Sequence, residues 1–358
     1  MVLDLIFLMF SFPLAIHGHG NMMLPSPWMD PVSRIGLRNQ MNCGGAFSSC
    51  LWFTNYTFIP GKSTLDPSLW TYPKIRLHNE PEFNPHDLDY TGCEQQISKM
   101  KEDPQVRSND IPPLKDYFYN HPWRSPGSAK VHSPCGVLGG NPAGCPANAP
   151  YGEGNICPGG GFGYGPRAEE FPFRDVMTTK WRAGAVVEVG WGINANHGGG
   201  YSYRLCKVPK GGKKFLTEEC FQETPLRFVG DLQWVQYGED KNTRIGFKAN
   251  RTQEGTFPKG SEWTKNPIPA CAGGWGGVLD KDPDCKEGTQ FDPPAPGLKG
   301  FGTHLSTPGK YDFNYTIIDQ VQVPAGIKHG QYVLSFRWDC EQTPQVWTAC
   351  ADIKIKKK

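Results

Sequence analysis

Two histidines far apart in the chain have the chemistry to act together. His19 opens the stretch His19-Gly20-Asn21-Met22-Met23-Leu24-Pro25, and His197 lies in Ala195-Asn196-His197-Gly198-Gly199-Gly200-Tyr201. If the residues before His19 are removed, its free α-amino group and its ring Nδ1 can chelate one metal ion, and His197 supplies a third nitrogen. Three nitrogens in a T suit copper: Cu(II) favours tetragonal nitrogen coordination and heads the divalent affinity series. The amine must lose its proton to bind. Its reference pKa is about 7.7–8.0, so affinity for copper should fall on acidification.

Each histidine alone has a plain alternative. His19 can be a surface residue near a loose terminus, and His197 a solvated loop residue. The pair and its context favour the metal. Small Ala195 and the run Gly198-Gly199-Gly200 are expected to keep side chains away from the ring, so that a flat polymer or a small oxidant can approach. A third piece stands near the end, in Gln345-Val346-Trp347. If Gln345 and Trp347 share a strand they share a face. Trp347 could then shape an axial position and Gln345 hydrogen-bond an oxygen species. Spacing alone favours Trp347 in the core and Gln345 on the surface.

The elements that must position these residues read as strands. Apolar residues alternate in Val187–Trp191, in Tyr201–Cys206 and in Tyr311–Ile317. They alternate again at Tyr332, Leu334, Phe336 and Trp338, and at Ala351, Ile353 and Ile355. Period-two alternation marks strands with one buried face, and several of them joined by long loops predict an all-β antiparallel sandwich. Thr217-Glu218-Glu219-Cys220 reads as a capped helical turn, because threonine caps and early acids favour a helix start. A second short helix is expected from Thr91 to about Lys101. Gly (43) and Pro (33) are abundant, which implies long irregular connections rather than helices. No repeat or low-complexity linker divides the chain, so residues 19–358 are expected to form one domain with large insertions.

Residues Leu5–Phe12 are almost wholly apolar, too short a run to span a bilayer but suited to the core of a secretion signal. Asp4 and the lack of Lys or Arg ahead of it depart from the usual pattern. Residues 1–18 are expected to be that signal, cut after Gly18, leaving a secreted protein with no membrane segment. Twelve cysteines, an even number, agree with an oxidising compartment. Near neighbours are the expected pairs: Cys43 with Cys50, Cys206 with Cys220, Cys340 with Cys350. Sequons begin at Asn55, Asn250 and Asn314. The net charge of +2 suggests no nucleic-acid partner.

At these residues the chain resembles the lytic polysaccharide monooxygenases, copper enzymes that cut insoluble polysaccharides oxidatively. His19-Gly20-Asn21-Met22 is similar to their mature start. Ala195-Asn196-His197-Gly198-Gly199 is similar to the second histidine motif of the animal and algal branch, auxiliary activity family fifteen, whose members contain the chitin-binding type-4 domain. Trp347-Thr348-Ala349-Cys350-Ala351-Asp352-Ile353 is similar to that branch's last strand. The resemblance implies an immunoglobulin- or fibronectin-like sandwich with one copper ion on a flat face, held by His19 and His197, with Trp347 as axial neighbour. Family members usually have Phe or Tyr there, so a role for a phenol is excluded. Gln345 two residues earlier is similar to the Gln-x-Tyr arrangement of the fungal cellulose-active branch.

The implied activity is oxidation at C1 or C4 of a glycosidic linkage in chitin or cellulose. It draws on an external electron donor and O2 or H2O2, and the protein acts as a monomer. Two other readings stand beside it. One is a secreted carbohydrate-binding protein that grips polymer through loop aromatics such as Trp28, Trp52 and Trp275. The other is a copper carrier without substrate.

Overall fold

The computed structural model describes residues 19–28, 53–54, 64–69, 122–129, 131, 133–136, 167–170, 176–271, 285, 288–300, 315–342 and 346–357. Two β-sheets face one another across an aromatic core. The first holds β1 (His19–Leu24), β4 (Val186–Ala195), β11 (Thr316–Gln322), β7 (Leu232–Gln236) and β8 (Ile245–Lys248) in that order, with β6 (Arg227–Phe228) also on β11. The second runs β2 (Phe53–Thr54), β13 (Val346–Lys356), β12 (Gly330–Asp339), β5 (Gly200–Lys207), β10 (Trp263–Lys265) and β9 (Arg251–Thr252). Its β3 (Thr178–Arg182) lies parallel to β13, whereas the other pairings are antiparallel. One α-helix appears among the described residues, α1 (Glu218–Gln222). The all-β sandwich expected from the alternation is the observed architecture.

Register explains how the core closes. Across the first sheet, Met22, Trp191, Ile317 and Val235 stand opposite one another in a single row. Across the second, Trp347, Trp338 and Tyr201 form a row, and Ala349, Phe336 and Tyr203 the next. Residues directly opposite on neighbouring strands point to the same face, so these rows meet between the sheets. Trp191 is the meeting point, with ring centroids 4.7 Å from Tyr201, 5.0 Å from Trp338 and 5.1 Å from Phe336. Burying each such side chain is worth about 1.5–3 kcal/mol.

The expectation of one buried face per strand fails most clearly in the second sheet. The outward residues of β12, Val333, Ser335, Arg337 and Asp339, are all buried. The long connections cover them. Arg337 Nε donates to Asp339 Oδ1 at 2.7 Å, and its Nη2 donates to the Ala129 carbonyl at 2.9 Å. Ser335 Oγ donates to the Pro134 carbonyl at 2.7 Å. Glu218 of α1 accepts from both Arg204 and Arg337. Polar residues at alternate positions here mark a second, ion-paired interface rather than a wet surface.

Among the described residues three disulfides staple these layers: Cys135–Cys350, Cys206–Cys220 and Cys271–Cys285. The Cys206–Cys220 pair agrees with the sequence reading. Cys340 with Cys350 does not, because Cys350 bonds Cys135. The β12–β13 register sets Asp339 opposite Val346 and Ser335 opposite Cys350. Cys340, past the end of β12, is therefore separated from the position opposite Cys350 by about five residues of strand, roughly 17 Å, beyond disulfide reach. The capped turn is as expected, with Thr217 Oγ1 accepting from the Cys220 N–H. Of the alternation at 311–317, residues 311–314 lie outside the described residues, and Thr316 and Ile317 open a strand that continues to Gln322. The 91–101 helix, the Cys43–Cys50 pair, the sequon at Asn55 and residue Asn314 lie outside the described residues, as do residues 1–18. Asn250 is exposed at the turn before β9.

Candidate metal centre

β4 ends where the two histidine segments converge. The β1–β4 pairing sets His19 opposite Ala195, with a break in register between His19 and Gly20. The chain then leaves the first sheet through Asn196–Gly199 and enters β5 of the second at Gly200. The crossover that carries His197 thus sits at the same end of the sandwich as the start of β1. His19 is described through its backbone.

A buried polar cage shapes the crossover. Asn196 Nδ2 donates to the Ile268 carbonyl at 2.8 Å, and its Oδ1 accepts from Gly198 N–H at 2.9 Å and from Asn266 Nδ2 at 2.8 Å. The His197 carbonyl accepts from the Glu341 and Gln342 N–H groups at 3.1 and 3.0 Å. Glu341 Oε2 accepts from Gln290 Nε2 at 3.2 Å. Lys265 brings positive charge to this end: its ammonium donates to the Leu69 carbonyl at 2.9 Å and lies over the Phe291 ring. Burial pulls the Lys265 pKa down, and the charge of Glu341 opposes that shift. Asn196, Gln290 and Glu341 were not singled out from the sequence. Asn196 stood inside the motif, but nothing in spacing says that a side chain 70 residues away will bond to it.

The glycines after His197 do not do what the sequence suggested. Gly198, Gly199 and Gly200 are buried, and His197 itself is 1% exposed. Gly198 and Gly199 have φ of 63° and 78°, the left-handed region that favours glycine. A β-carbon on Gly199 would stand 2.0 Å from the Asp339 carbonyl oxygen, and one on Gly200 2.3 Å from the Trp123 ring. The run is glycine because β12 and Trp123 press against it, not to leave the imidazole open.

Trp347 is fully buried, opposite Trp338 and on the same inward face. Gln345 lies outside the described residues. Trp28, offered as a stacking aromatic, is buried: its indole N–H donates to Asp352 Oδ1 at 2.7 Å. Trp52 and Trp275 lie outside the described residues.

Among the described residues no three His, Cys, Asp or Glu side chains converge as a metal cluster. The donors that the sequence offers at this end are the imidazole nitrogens of His19 and His197, and a terminal amine if one is freed. That donor set fits copper and is foreign to calcium or magnesium, which take oxygen ligands.

No protein-family model matches the chain. An AA13 family lytic polysaccharide monooxygenase A of Pyricularia oryzae is 26% identical over 190 residues, covering 49% of this chain and 42% of its own length. Lytic polysaccharide monooxygenase aasB of Emericella nidulans is 25% identical over 196 residues, covering 49% of each. Over about half its length this chain is similar to lytic polysaccharide monooxygenases. It spans about half the length, or less, of the curated relatives that it matches. Among solved structures, an AA15 lytic polysaccharide monooxygenase from Thermobia domestica in the Cu(I) state aligns at 14% identity. The alignment covers 55% of this chain and 67% of that one, with a TM-score of 0.26.

Proposed function

We propose that this chain is a secreted, copper-dependent lytic polysaccharide monooxygenase whose residues 19–358 form one domain acting as a monomer. The observation that carries the reading is the convergence of the His19 strand and the His197 crossover at one end of the sandwich. Removal of residues 1–18 would free the amine of His19, and His19 and His197 would then hold the ion. Bound copper would supply the redox chemistry that oxidises C1 or C4 of a glycosidic linkage, with an external donor and O2 or H2O2 as co-reactants. The protein's part is positional. Asn196 and the Glu341 and Gln342 amides hold the His197 backbone, and the packed glycines deny it other conformations. Trp347 would stand as a neighbour of the ion without a hydroxyl of its own, and Gln345, outside the described residues, is proposed as a hydrogen-bonding residue for the oxidant.

The substrate is an insoluble polysaccharide. The test incubates the purified secreted protein with Cu(II), ascorbate and chitin, cellulose or starch, and reads released oligosaccharides by mass spectrometry. Oxidised products from one polymer, dependent on both copper and reductant, are expected. Intact mass should begin at His19. His197→Ala should abolish the products and weaken Cu(II) binding by more than about a hundredfold, the loss of one of three ligands. A secreted form with any residue ahead of His19 would end the reading. Binding to polymer with no oxidised product would favour the carbohydrate-binding alternative.

A further inference from the structure

We infer that Trp338 is a positioning residue that sets the spacing between the two histidine segments, an inference that rests on the copper reading above. Its indole N–H donates to the Gly198 carbonyl at 2.7 Å, one residue after His197. The other edge of the same ring lies on the backbone of Gly20, one residue after His19: a β-carbon there would be 2.7 Å from Trp338 Cε3 and 2.8 Å from Cζ3. One rigid bicycle therefore touches the chain next to both histidines, from a strand that carries neither.

The ring itself has little freedom. It is fully buried, packs on Trp191 at 5.0 Å, and is flanked in register by Tyr201 and Trp347. A side chain with few rotamers in a close-packed interior transmits distance well. Gly20 and Gly198 are the complementary halves of the device. The first lets the ring face reach the β1 backbone, and the second offers a carbonyl from a left-handed turn. An aromatic without a donor would fill the core yet leave the Gly198 carbonyl unheld, and the His197 crossover could then shift relative to β1.

Two variants of the full secreted chain separate packing from tethering. Trp338→Phe removes the donor and part of the ring. Replacement of Trp338 by benzothienylalanine keeps the bicycle and removes only the N–H. The readouts are Cu(II) affinity by competition titration, the Cu(II) electron paramagnetic resonance spectrum, and the chemical-unfolding midpoint. The isosteric replacement strands the Gly198 carbonyl and should lower the midpoint modestly, while weakening Cu(II) binding by about tenfold and altering the spectrum. Trp338→Phe should weaken binding further. If the isosteric variant keeps both wild-type affinity and spectrum, Trp338 is core packing only and the inference is wrong. If wild type itself binds no Cu(II) through nitrogen, the copper reading and this inference fall together.

Discussion

At the scale of single residues, contact with backbone decides which changes the centre tolerates. Gly199 has a positive φ, and its missing β-carbon would overlap the Asp339 carbonyl at 2.0 Å. A carbonyl in a paired strand cannot move aside as a flexible side chain can. Gly199→Ala should therefore cost at least about 2–3 kcal/mol, combining left-handed strain with overpacking. A fall in melting temperature of about 5 °C or more should report it, and an unchanged melting curve would contradict the packing described. Asn196 is a different case, since its amide satisfies three partners at once. Asn196→Ala strands those buried groups and should cost about 2–4 kcal/mol in chemical unfolding. It should also weaken Cu(II) binding, because the turn that presents His197 loses its brace.

At the scale of elements, the outer face of the second sheet is held by α1 and the covering loops. Glu218 accepts from Arg204 and from Arg337, and all three side chains are nearly or fully buried. Removing the carboxylate leaves two guanidinium groups facing each other without it. Glu218→Ala should therefore cost about 3–5 kcal/mol, the penalty of breaking a buried pair on one side. Thr217→Ala, one residue earlier, removes only a helix cap, worth about 1 kcal/mol. Urea titrations of the two variants should rank them in that order. Equal losses would mean that the ion network adds nothing beyond the turn. The sequence showed Thr217 and the acids of the turn clearly. It did not show that Glu218 meets Arg204 and Arg337, because those partners come from two neighbouring strands.

At the scale of the whole molecule, one acid sits between the sheets. Asp319 on β11 accepts from Tyr201 OH of β5 at 2.6 Å. Burial pushes its pKa up to about 6 from 3.8, against the lowering effects of Tyr201 and Arg251. The folded state then binds a proton that the unfolded chain releases, so this group favours the fold below its unfolded pKa. That advantage is lost as pH rises through the folded value. The span corresponds to roughly 3 kcal/mol, lost between about pH 4 and pH 6. Asp319→Asn keeps an acceptor for the tyrosine and has no such titration. Its stability, measured by urea unfolding across pH 4–7, should lack this decline. A parallel decline in variant and wild type would show that other groups cause it. The surface carboxylate of Glu188 acts in the opposite sense. Hydrogen bonds from Arg244 hold its pKa at about 2, so its contribution is complete above the unfolded value of 4.5 and fades as pH falls from there toward 2.

What the sequence determined by itself was local. Alternation at Val187–Trp191 and at Tyr332–Trp338 is a property of consecutive residues, and it marked the strands and their inward rows. The Cys206–Cys220 staple and the Thr217 cap were legible because their partners are near in sequence. Only the tertiary structure decided that Cys350 bonds Cys135, that the glycines after His197 are packed rather than open, and that the polar face of β12 is buried. Each of these depends on which distant segment covers a strand. The same holds at the proposed metal centre: the sequence marked His19 and His197 as a pair, whereas register and the crossover brought their segments to one end. The indole of Trp338, lying between those segments, is a product of two sheets meeting, which no spacing along one chain encodes.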